Sequence, residues 1–597
     1  MADNPYDAWR DSVGAVLAKS RGGTPPEDPI AALTTPTEDD GVQIAPLYSG
    51  RDELPQAPLP GSYPYTRGGN PTPDVRLGWK VAERFGPGED AADVLGALES
   101  GASALWIERP DPAPLLQGVY PDMAPILLTA GGRAADAATQ VYAALDAAAE
   151  SDQYRADLVR VSLGAAPLTS QVVGRADVAP DEAADLARAA DTRPEDVRAI
   201  VVDGADLHNA GATCAQELGL AAAAGLDHVR ALVASGLATD AALRQLTIRL
   251  AATDDQFLTL AKIRAWRAVW ARVAKQLGHP EAGNAPVHAV TSLAATTQRD
   301  PWVNMLRTTV AAFGAGLGGA DYVTTLQFDA ALPGGVEGYS PAFARRIARN
   351  TQLLLLEESN LGRVVDPGAG SWHVESLTDD LARNAWTVLQ ATERDGGFAR
   401  GVADETIAAT IGESADRRDD AVSRRATKLT GVNEFPNLAE PPIAPSPARN
   451  GAVVRSHAAP FEALRARSDG FLRDHGVRPR IRMVTIGTVA QYNARSTFLT
   501  NLLASGGIET VLDAEEQKAG TATVDGSPGA RITVLAGSDT GYAEEGEALA
   551  RSLRDEGDLV LLAGKPGTVD DGMIDFYLHA KIDAAAVLDD LLTRLGA

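Results

Sequence analysis

The sequence predicts an α/β protein in which a (β/α)8 barrel of the TIM type is followed by a smaller, flavodoxin-like doubly wound sheet. Eight strand-like stretches alternate with helical patterns in residues 61–430, and this alternation is typical of a (β/α)8 barrel. Five further strand candidates, most of them separated by helices, occupy residues 478–597. Periodicity alone does not separate a closed from an open parallel sheet, so an open sheet stays an alternative for the first part.

Length and charge limit the classes of protein to consider. The chain has 597 residues, which is too long for one hydrophobic core, so two or three domains are expected. Its 80 acidic and 54 basic residues give a net charge of −26. A field of this sign repels phosphate backbones, so nucleic-acid binding is not expected.

Cysteine content and apolar runs predict a cytoplasmic protein. Cys214 is the single cysteine, so the chain has no internal disulfide and no cysteine-based metal site, which fits a reducing compartment. The N-terminal residues have neither the basic nor the apolar region of a secretory signal. No apolar run approaches the ~18 residues of a membrane helix. Neither membrane association nor a metal site is expected.

Residues 1–60 are predicted to form an extended N-terminal arm. They are rich in proline and charge, apart from a possible amphipathic helix over residues 5–20. A segment of this composition has too little apolar surface to fold alone, so it either wraps another body or remains mobile. We expect the arm to contact a partner subunit.

The barrel is expected in residues 61–430. Its eight strand candidates are GWKVAERFG, SALWIERP, DLVRVSLG, RAIVVDG, IRLAATDD, PVHAVTS, YVTTLQFD and RVVDPGAGS. A further apolar run, APILLTA at 124–130, is interpreted as an insertion or an edge strand. One helix has clear boundary signals, because Ser340 is a good N-cap, Pro341 suits the first turn and Gly362 marks the end.

A linker and a second α/β unit follow the barrel. Residues 431–477 contain the proline-rich stretch PNLAEPPIAPSPARNG and then a helical pattern. Residues 478–597 contain the strand candidates RIRMVTIG, IETVLD, ARITVLAG, LVLLAG and DFYLHA. Ligands of doubly wound sheets sit at the carboxyl ends of the strands, so a site is expected in the loops there.

Four segments resemble the methylmalonyl-CoA mutase family. They are GSYPYTRGG, NAGATCAQELGLAAAAGLDHVRALVASGL, LTLAKIRAWRAVWARV and RRIARNTQLLLLEESNLGRVVDPGAGSWHVESLT. The resemblance covers roughly residues 40–430 well and residues 478–597 more weakly. It implies an adenosylcobalamin-dependent radical isomerase that interconverts succinyl-CoA and methylmalonyl-CoA. It also implies that the acyl-CoA threads the barrel and that cobalamin lies between the barrel and the C-terminal domain.

The C-terminal domain departs from the cobalamin-binding pattern of that family. The family carries Asp-x-His-x-x-Gly after the first strand of this domain, and the histidine coordinates cobalt. Here TVAQYNARSTF follows the first strand, and no histidine lies between His475 and His579. AGSDTG replaces the family's Ser-x-Leu, and Ala563-Gly564 replaces two glycines. The resemblance therefore implies a degenerate cobalamin-binding domain, and no cofactor-binding residue is expected on this chain.

The barrel departs from the family's catalytic pattern as well. The resemblance places Asn70 where catalytic subunits have a tyrosine that drives the adenosyl group off cobalt. It places Pro286 where they have an arginine, and His288 follows in a changed Thr-His-Ser pattern. Pro286 offers no charge to a CoA phosphate or carboxylate. These positions are interpreted as a degenerate pocket, and no catalytic residue is assigned.

One histidine lies close to a catalytic position of the family. The resemblance implies a histidine four residues before the first alanine of Ala-Gly-Ala, where it hydrogen-bonds the substrate carbonyl, and Asp206 stands there. His208 is two residues further on, about 6–7 Å along an extended chain. A misplacement even of ~1 Å can cost ~100-fold in rate. His208 is therefore interpreted as a loop histidine without a catalytic role.

Together these departures resemble the non-catalytic small subunits of heterodimeric bacterial enzymes in this family. That resemblance implies a homologous catalytic large subunit as the partner, which would carry the adenosylcobalamin and the acyl-CoA. Two alternatives stay open: a self-sufficient acyl-CoA mutase with atypical cobalamin binding, and an accessory or chaperone protein for a cobalamin enzyme. The first predicts a corrinoid on the isolated chain. The second predicts a nucleotide-phosphate loop, Gly-x-x-x-x-Gly-Lys-Ser/Thr, which the sequence lacks.

Overall fold

The computed structural model describes residues 5–37, 41–443, 453–512 and 530–597. In this part of the chain, eight parallel strands close into a barrel in chain order, with the last strand paired to the first. We number them β1–β8, and their bounds are Lys80–Phe85, Ala104–Ile107, Ile126–Leu128, Arg160–Ala165, Asp196–Asp203, Leu246–Ala252, Val287–Thr291 and Tyr322–Thr324. The predicted barrel is confirmed, and the open sheet is wrong for these residues.

Two strand predictions were wrong. The run APILLTA contributes β3, which pairs with β2 on one side and β4 on the other and is therefore neither an insertion nor an edge strand. RVVDPGAGS forms no strand, and turns lead from it to the helix Trp372–Arg394. Pro367 has no amide for a ladder, and Asp366 (φ 47°) and Gly370 (φ 78°) leave the extended region.

Helices form the outer layer of the barrel. The longer ones run over Ala91–Glu99, Ala134–Ala148, Pro180–Asp191, Cys214–Ala234, Gln256–Gln276, Val303–Leu317, Pro341–Leu353, Trp372–Arg394 and Thr406–Ser423. Ser340 caps its helix as predicted, accepting from the Phe343 amide. That helix ends at Leu353 and continues as one π-helical turn, so the predicted end at Gly362 is wrong. Asn360, with φ 56°, turns the chain away from the helix first.

Two glycines allow elements to approach closely beside β5. A Cβ on Gly219, in the helix Cys214–Ala234, would lie 2.5 Å from the Ala385 carbonyl oxygen. Gly211 has φ 115°, and a Cβ there would lie 2.5 Å from the Ala415 Cβ. Helices from late in the chain therefore lie directly on the loop and helix that follow β5.

The main core lies between the barrel strands and the helices. A smaller cluster fills the inside of the barrel, and its members are Ala82, Ala104, Trp106, Leu127, Val290, Tyr322 and Leu326. Inward-facing residues of small parallel barrels pack in this way, so the barrel is a filled core rather than a pore.

The N-terminal arm divides into an exposed helix and a packed segment. The helix Pro5–Arg21 presents Val16 to solvent, with 67% of its surface exposed. Further along, Val42 is buried in the barrel core and the Tyr48 ring lies 4.9 Å from His373. The second half of the arm therefore packs on the barrel of its own chain.

The C-terminal unit contains a sheet of five parallel strands. We number them β9–β13, and their bounds are Arg480–Thr485, Glu509–Leu512, Ile532–Ala536, Leu559–Ala563 and Phe576–Leu578. Their spatial order is β10-β9-β11-β12-β13, the order found in flavodoxin-like sheets. The helices Ala459–His475, Val489–Ser505, Glu547–Asp555 and Ala584–Arg594 accompany the sheet. Part of the predicted proline-rich linker, residues 444–451, lies outside the described residues.

Buried ion pairs join the C-terminal unit to the barrel. Arg299, in the loop after β7, pairs with Asp469 at 2.8 Å, and both side chains are almost fully buried. Arg478 pairs with the other oxygen of Asp469 at 2.8 Å. Arg465 pairs with Glu440 at 2.7 Å. Among the described residues, no helix combines the length and apolarity that crossing a bilayer requires.

Candidate functional site

A cavity of about 530 Å3 opens at the carboxyl ends of the barrel strands, where barrel enzymes carry their active sites. Charged side chains of both signs line this barrel mouth, and they are Arg84, Glu108, Arg175, Asp203, Asp206 and Arg249. Each arginine pairs with a carboxylate of the set. The barrel mouth is therefore polar, but its charges largely neutralise one another.

Arg249 is the central cation of the barrel mouth. Its guanidinium donates to Asp203 at 2.7 Å and to the Thr129 hydroxyl at 3.1 Å, and it lies 4.7 Å from the Trp106 ring. The side chain is buried, and these partners offset the cost of removing its charge from water. Sequence reasoning missed this residue. An arginine inside the mainly apolar strand β6 was the available signal, since arginine is rarely buried without a partner.

Asp206 stands in the short helix Gly204–Asn209, directly after β5. Its carboxylate pairs with Arg175, a residue that also lies 3.7 Å from Asp203. Burial and the neighbouring Asp203 carboxylate raise the pKa of Asp206 to about 7, although Arg175 acts in the opposite direction. The position that the resemblance connects with a substrate-binding histidine is therefore occupied by one half of an ion pair.

His208 lies in the same short helix and is 3% exposed. The expectation of a loop histidine is wrong, because the chain turns into a helix at Gly204 and carries the imidazole into the interior. Its Nε2 lies 2.6 Å from the Ser292 Oγ. Burial and the nearby positive charge of Lys262 hold the pKa of His208 well below its ordinary value. The imidazole is thus neutral and engaged with a hydroxyl group.

Asn70 and Pro286 lie at the opposite end of the barrel. Asn70 is exposed, lines a second cavity of about 730 Å3 and accepts a hydrogen bond from the Thr72 amide at 2.9 Å. Pro286 precedes β7, and its carbonyl oxygen accepts from the Ile248 amide at 3.0 Å. The structure therefore does not bring these two predicted positions together with Asp206 and His208.

His288 points into the filled lumen between the two cavities. Its Nε2 lies 2.8 Å from the Thr324 hydroxyl, and its Nδ1 lies 3.3 Å from the Arg249 Nε. The ring also packs edge-on against Trp106 at 5.2 Å and against Tyr322 at 6.5 Å. His288 is thus a packing and hydrogen-bonding group of the barrel interior.

The carboxyl edge of the C-terminal sheet is closed at its switch point, between β9 and β11. Ile486 follows β9 and donates its amide to the Ala536 carbonyl at 2.8 Å. A Cβ on Gly537, which follows β11, would lie 2.9 Å from the Ile486 Cβ. Thr488 then forms a capping box with Gln491 at the start of the helix Val489–Ser505. The space directly between the ends of β9 and β11 is therefore filled by contacts within the chain, whereas a cavity of about 1000 Å3, lined by Met483, Tyr492 and Leu512 among others, remains beside the helix Val489–Ser505.

Tyr542 completes this closure, and sequence reasoning had not singled it out. Its hydroxyl accepts from the Gly537 amide at 2.9 Å and lies 3.1 Å from the carbonyl oxygens of Leu535 and Ala563. The Arg495 guanidinium covers the ring at 4.9 Å. Because the ring is 1% exposed, burial raises the pKa of Tyr542. The side chain occupies the space between the ends of β11 and β12.

The described residues form a filled (β/α)8 barrel whose mouth is lined by ion pairs. A five-stranded parallel sheet follows, and contacts within the chain fill the space between the ends of β9 and β11. The class of protein is therefore a two-part α/β protein built on an enzyme-type scaffold. The sequence model described as methylmalonyl-CoA mutase matches residues 110–475. The chain belongs to the methylmalonyl-CoA mutase family.

Relatives resemble this chain over nearly its full length. The protein named "Probable methylmalonyl-CoA mutase small subunit" in Mycobacterium tuberculosis is 48% identical, over 99% of this chain and 97% of that protein. The "Methylmalonyl-CoA mutase small subunit" of Streptomyces virginiae is 43% identical, over 100% and 97%. The protein of the same name in Propionibacterium freudenreichii subsp. shermanii is 32% identical, over 99% and 94%.

Proposed function

We propose that this chain is the non-catalytic small subunit of a heterodimeric methylmalonyl-CoA mutase. In this proposal a homologous large subunit binds adenosylcobalamin and interconverts succinyl-CoA and methylmalonyl-CoA. Full-length similarity to proteins named as small subunits supports it. The observation that carries it is the first turn after β9, which holds a Thr488–Gln491 capping box and no histidine, while Ile486 and Tyr542 fill the space between the ends of β9, β11 and β12.

The residues of the first turn after β9 do not fit a corrinoid held by histidine. Imidazole nitrogen is a suitable ligand for transition metals of this kind. The first turn after β9 offers instead the hydroxyls of Thr488 and Tyr492 and the amides of Gln491 and Asn493. Thr488 and Gln491 are already bonded to each other. We therefore assign adenosylcobalamin to the large subunit and none to this chain.

The filled lumen supports assigning the acyl-CoA to the partner as well. A ligand that threads the barrel axis must pass between the two cavities at its ends. Trp106, Tyr322 and His288 pack against one another in that space. Displacing them would break their hydrogen bonds and expose a packed core, so threading is strongly disfavoured.

The heterodimer and its location complete the proposal. The exposed helix Pro5–Arg21 offers apolar side chains such as Val16, and we propose that it packs on the large subunit. Obligate complexes bury large apolar surfaces of this kind. We place the complex in the cytoplasm, which suits a sequence with one cysteine, Cys214.

Cofactor titration of separate and assembled subunits tests the proposal. The full chain is purified alone and also co-expressed with a homologous chain that carries Asp-x-His-x-x-Gly. Each sample is titrated with adenosylcobalamin, the absorption spectrum is recorded, and isomerase activity is measured. We expect stoichiometric binding and activity from the pair, and neither from the isolated chain. The large subunit alone serves as the control for binding.

Other outcomes select the alternatives. A base-off, histidine-on corrinoid spectrum on the isolated chain, with activity, would establish a self-sufficient mutase. An active large subunit that never associates with this chain would favour an accessory role instead.

A further inference from the structure

Residues 453–457, which we call the strap, cross the mouth of the barrel. Alternate amides of the strap donate to carbonyl oxygens of three separate barrel loops, and these bonds are Val453 to Val173 at 2.9 Å, Arg455 to Asn209 at 2.8 Å and His457 to Ala294 at 2.9 Å. The acceptors follow β4, β5 and β7, respectively. The strap is therefore tied to several sides of the barrel mouth.

Ion pairs of Arg455 anchor the outer side of the strap. The Arg455 guanidinium bonds to Asp416 at 2.7 Å and to Asp419 at 3.0 Å, both on the helix Thr406–Ser423. That helix lies on the loop after β5 through the contact of Ala415 with Gly211. The same helix thus fixes both the loop and the strap that crosses it.

The inner side of the strap lines part of the cavity. Val453 and Val454 line the 530 Å3 space together with the charged residues of the barrel mouth. The His457 ring lies 5.9 Å from the His208 ring, beside the bond between His208 and Ser292. The strap thus joins the barrel mouth to the buried histidine below it.

The end of the strap is continuous with the joint between the barrel and the C-terminal unit. Ala459 begins the helix Ala459–His475, and Asp469 of that helix pairs with the buried Arg299. The strap is held at one end by this joint and along its length by the barrel loops. Movement of the strap therefore requires several bonds to break together.

We infer that the strap is held rigidly across the barrel mouth, so that it moves away from the cavity only when its backbone bonds and the Arg455 contacts break together. This inference concerns a conformational lock within the chain, and it does not depend on a partner or a cofactor. It goes beyond the proposed function. Because the hydrogen-exchange test uses neither cobalamin nor the large subunit, a negative result there would leave the proposed function untouched.

Hydrogen exchange of the full-length chain tests the strap. The amides of Val453, Arg455 and His457 should exchange at least ~100-fold more slowly than the same residues in an unstructured peptide. In Arg455→Ala, exchange at positions 455 and 457 should become roughly 10-fold faster, because the outer anchor is lost. The amides of β5 should keep their rates, which shows that the barrel is intact.

Two further variants make the test specific. Arg480→Ala removes a comparably exposed arginine, which pairs with Glu509 at 2.7 Å far from the strap, and strap exchange should not change. Replacing both Asp416→Asn and Asp419→Asn should reproduce the effect of Arg455→Ala from the other side of the contact. Peptide-like exchange of the wild-type strap, or unchanged protection in both anchor variants, would overturn the inference.

Discussion

Arg175 and Arg249 face Asp206 and Asp203 across the barrel mouth, and each charge has a partner of opposite sign. Buried charges persist in folded proteins when they are paired, and removing one partner is costly because the other remains desolvated. Next to them, His208 is neutral and bonded to Ser292. At the scale of single residues, Asp206 and His208, which the sequence analysis singled out, are each bonded to a partner within the chain.

His208→Ala should leave the turnover of the assembled enzyme nearly unchanged. The imidazole is buried and bonded to Ser292, so its loss removes one hydrogen bond and should cost about 1 kcal/mol of unfolding free energy. Steady-state kinetics of the heterodimer and chemical denaturation measure the two effects. His279→Ala, at a partly exposed histidine, is the matched control. A loss of a general acid would cost roughly 100- to 10,000-fold in kcat, and a drop of that size with the heterodimer intact would contradict the non-catalytic role.

Asp206→Asn should change the pH dependence of stability. The folded-state pKa of Asp206 is about 7, raised by burial above its ordinary value of 3.8. The folded chain therefore holds this proton more tightly than the unfolded chain, and ionising Asp206 costs stability as the pH rises through this window. The unfolding free energy of Asp206→Asn minus that of wild type should therefore rise by roughly 1–3 kcal/mol as the pH increases from about 4.5 to 8, whatever the difference is at low pH.

Chemical denaturation across that pH range measures this difference. Asp185→Asn, at an exposed carboxylate paired with Arg188, is the control and should show no comparable trend. A stability difference between Asp206→Asn and wild type that stays constant with pH would show that Asp206 does not titrate in this window.

The helix Pro5–Arg21 is mostly exposed, and Gly14 is the one buried residue among those whose burial the structure describes in it. Its hydrophobic residues cover little of the barrel, while the part of the arm that contains Val42 and Tyr48 is anchored on it. A short amphipathic helix gains most of its stability from packing of its apolar face. At the scale of elements, the arm thus has an anchored second half and a helix that exposes Val16 to solvent.

Deleting residues 1–40 should weaken heterodimer formation and leave the barrel folded. The truncation removes the exposed helix but retains Val42, which is the buried anchor of the arm. Sedimentation analysis with the large subunit measures affinity, and circular dichroism confirms folding. Val16→Asp should weaken association in the same direction, whereas Ala8→Ser on the exposed surface should not. Undiminished affinity of the truncated chain would show that this helix is not an interface element.

Buried ion pairs hold the barrel and the C-terminal unit together. Asp469 is fully buried, and its carboxylate forms ion pairs with Arg299 of the barrel and with Arg478 of the C-terminal unit. The strap adds backbone bonds from the same connecting region to the barrel loops. At the scale of the whole molecule, the chain is built to keep one arrangement of its two parts.

Arg299→Ala should destabilise the full chain by about 3 kcal/mol, because the buried Asp469 then keeps only one of its two cationic partners. Denaturant unfolding measures this loss. Arg594→Ala removes a surface ion pair with Asp590 and should cost less than about 0.5 kcal/mol. Equal effects of the two substitutions would mean that the buried joint contributes no more than a surface pair.

Local patterns in the sequence determined the fold class and most of its elements. Alternating apolar strands and helical segments predicted the barrel, and the N-cap at Ser340 was confirmed. The missing histidine after the first C-terminal strand predicted that the site is degenerate, and this stays a prediction. These features depend on residues that are close together in the chain, so periodicity and capping chemistry are enough to reveal them.

Closure of the barrel decided the remaining features. It made Ile126–Leu128 a central strand, where a short apolar run is ambiguous, and it left RVVDPGAGS in turns. It also brought Arg249 to Asp203, buried His208 against Ser292 and carried the strap over the barrel mouth. These contacts join residues that are far apart in the chain. Their pairing is set by which strands become neighbours and by the need to satisfy each buried polar group, and local sequence encodes neither of these.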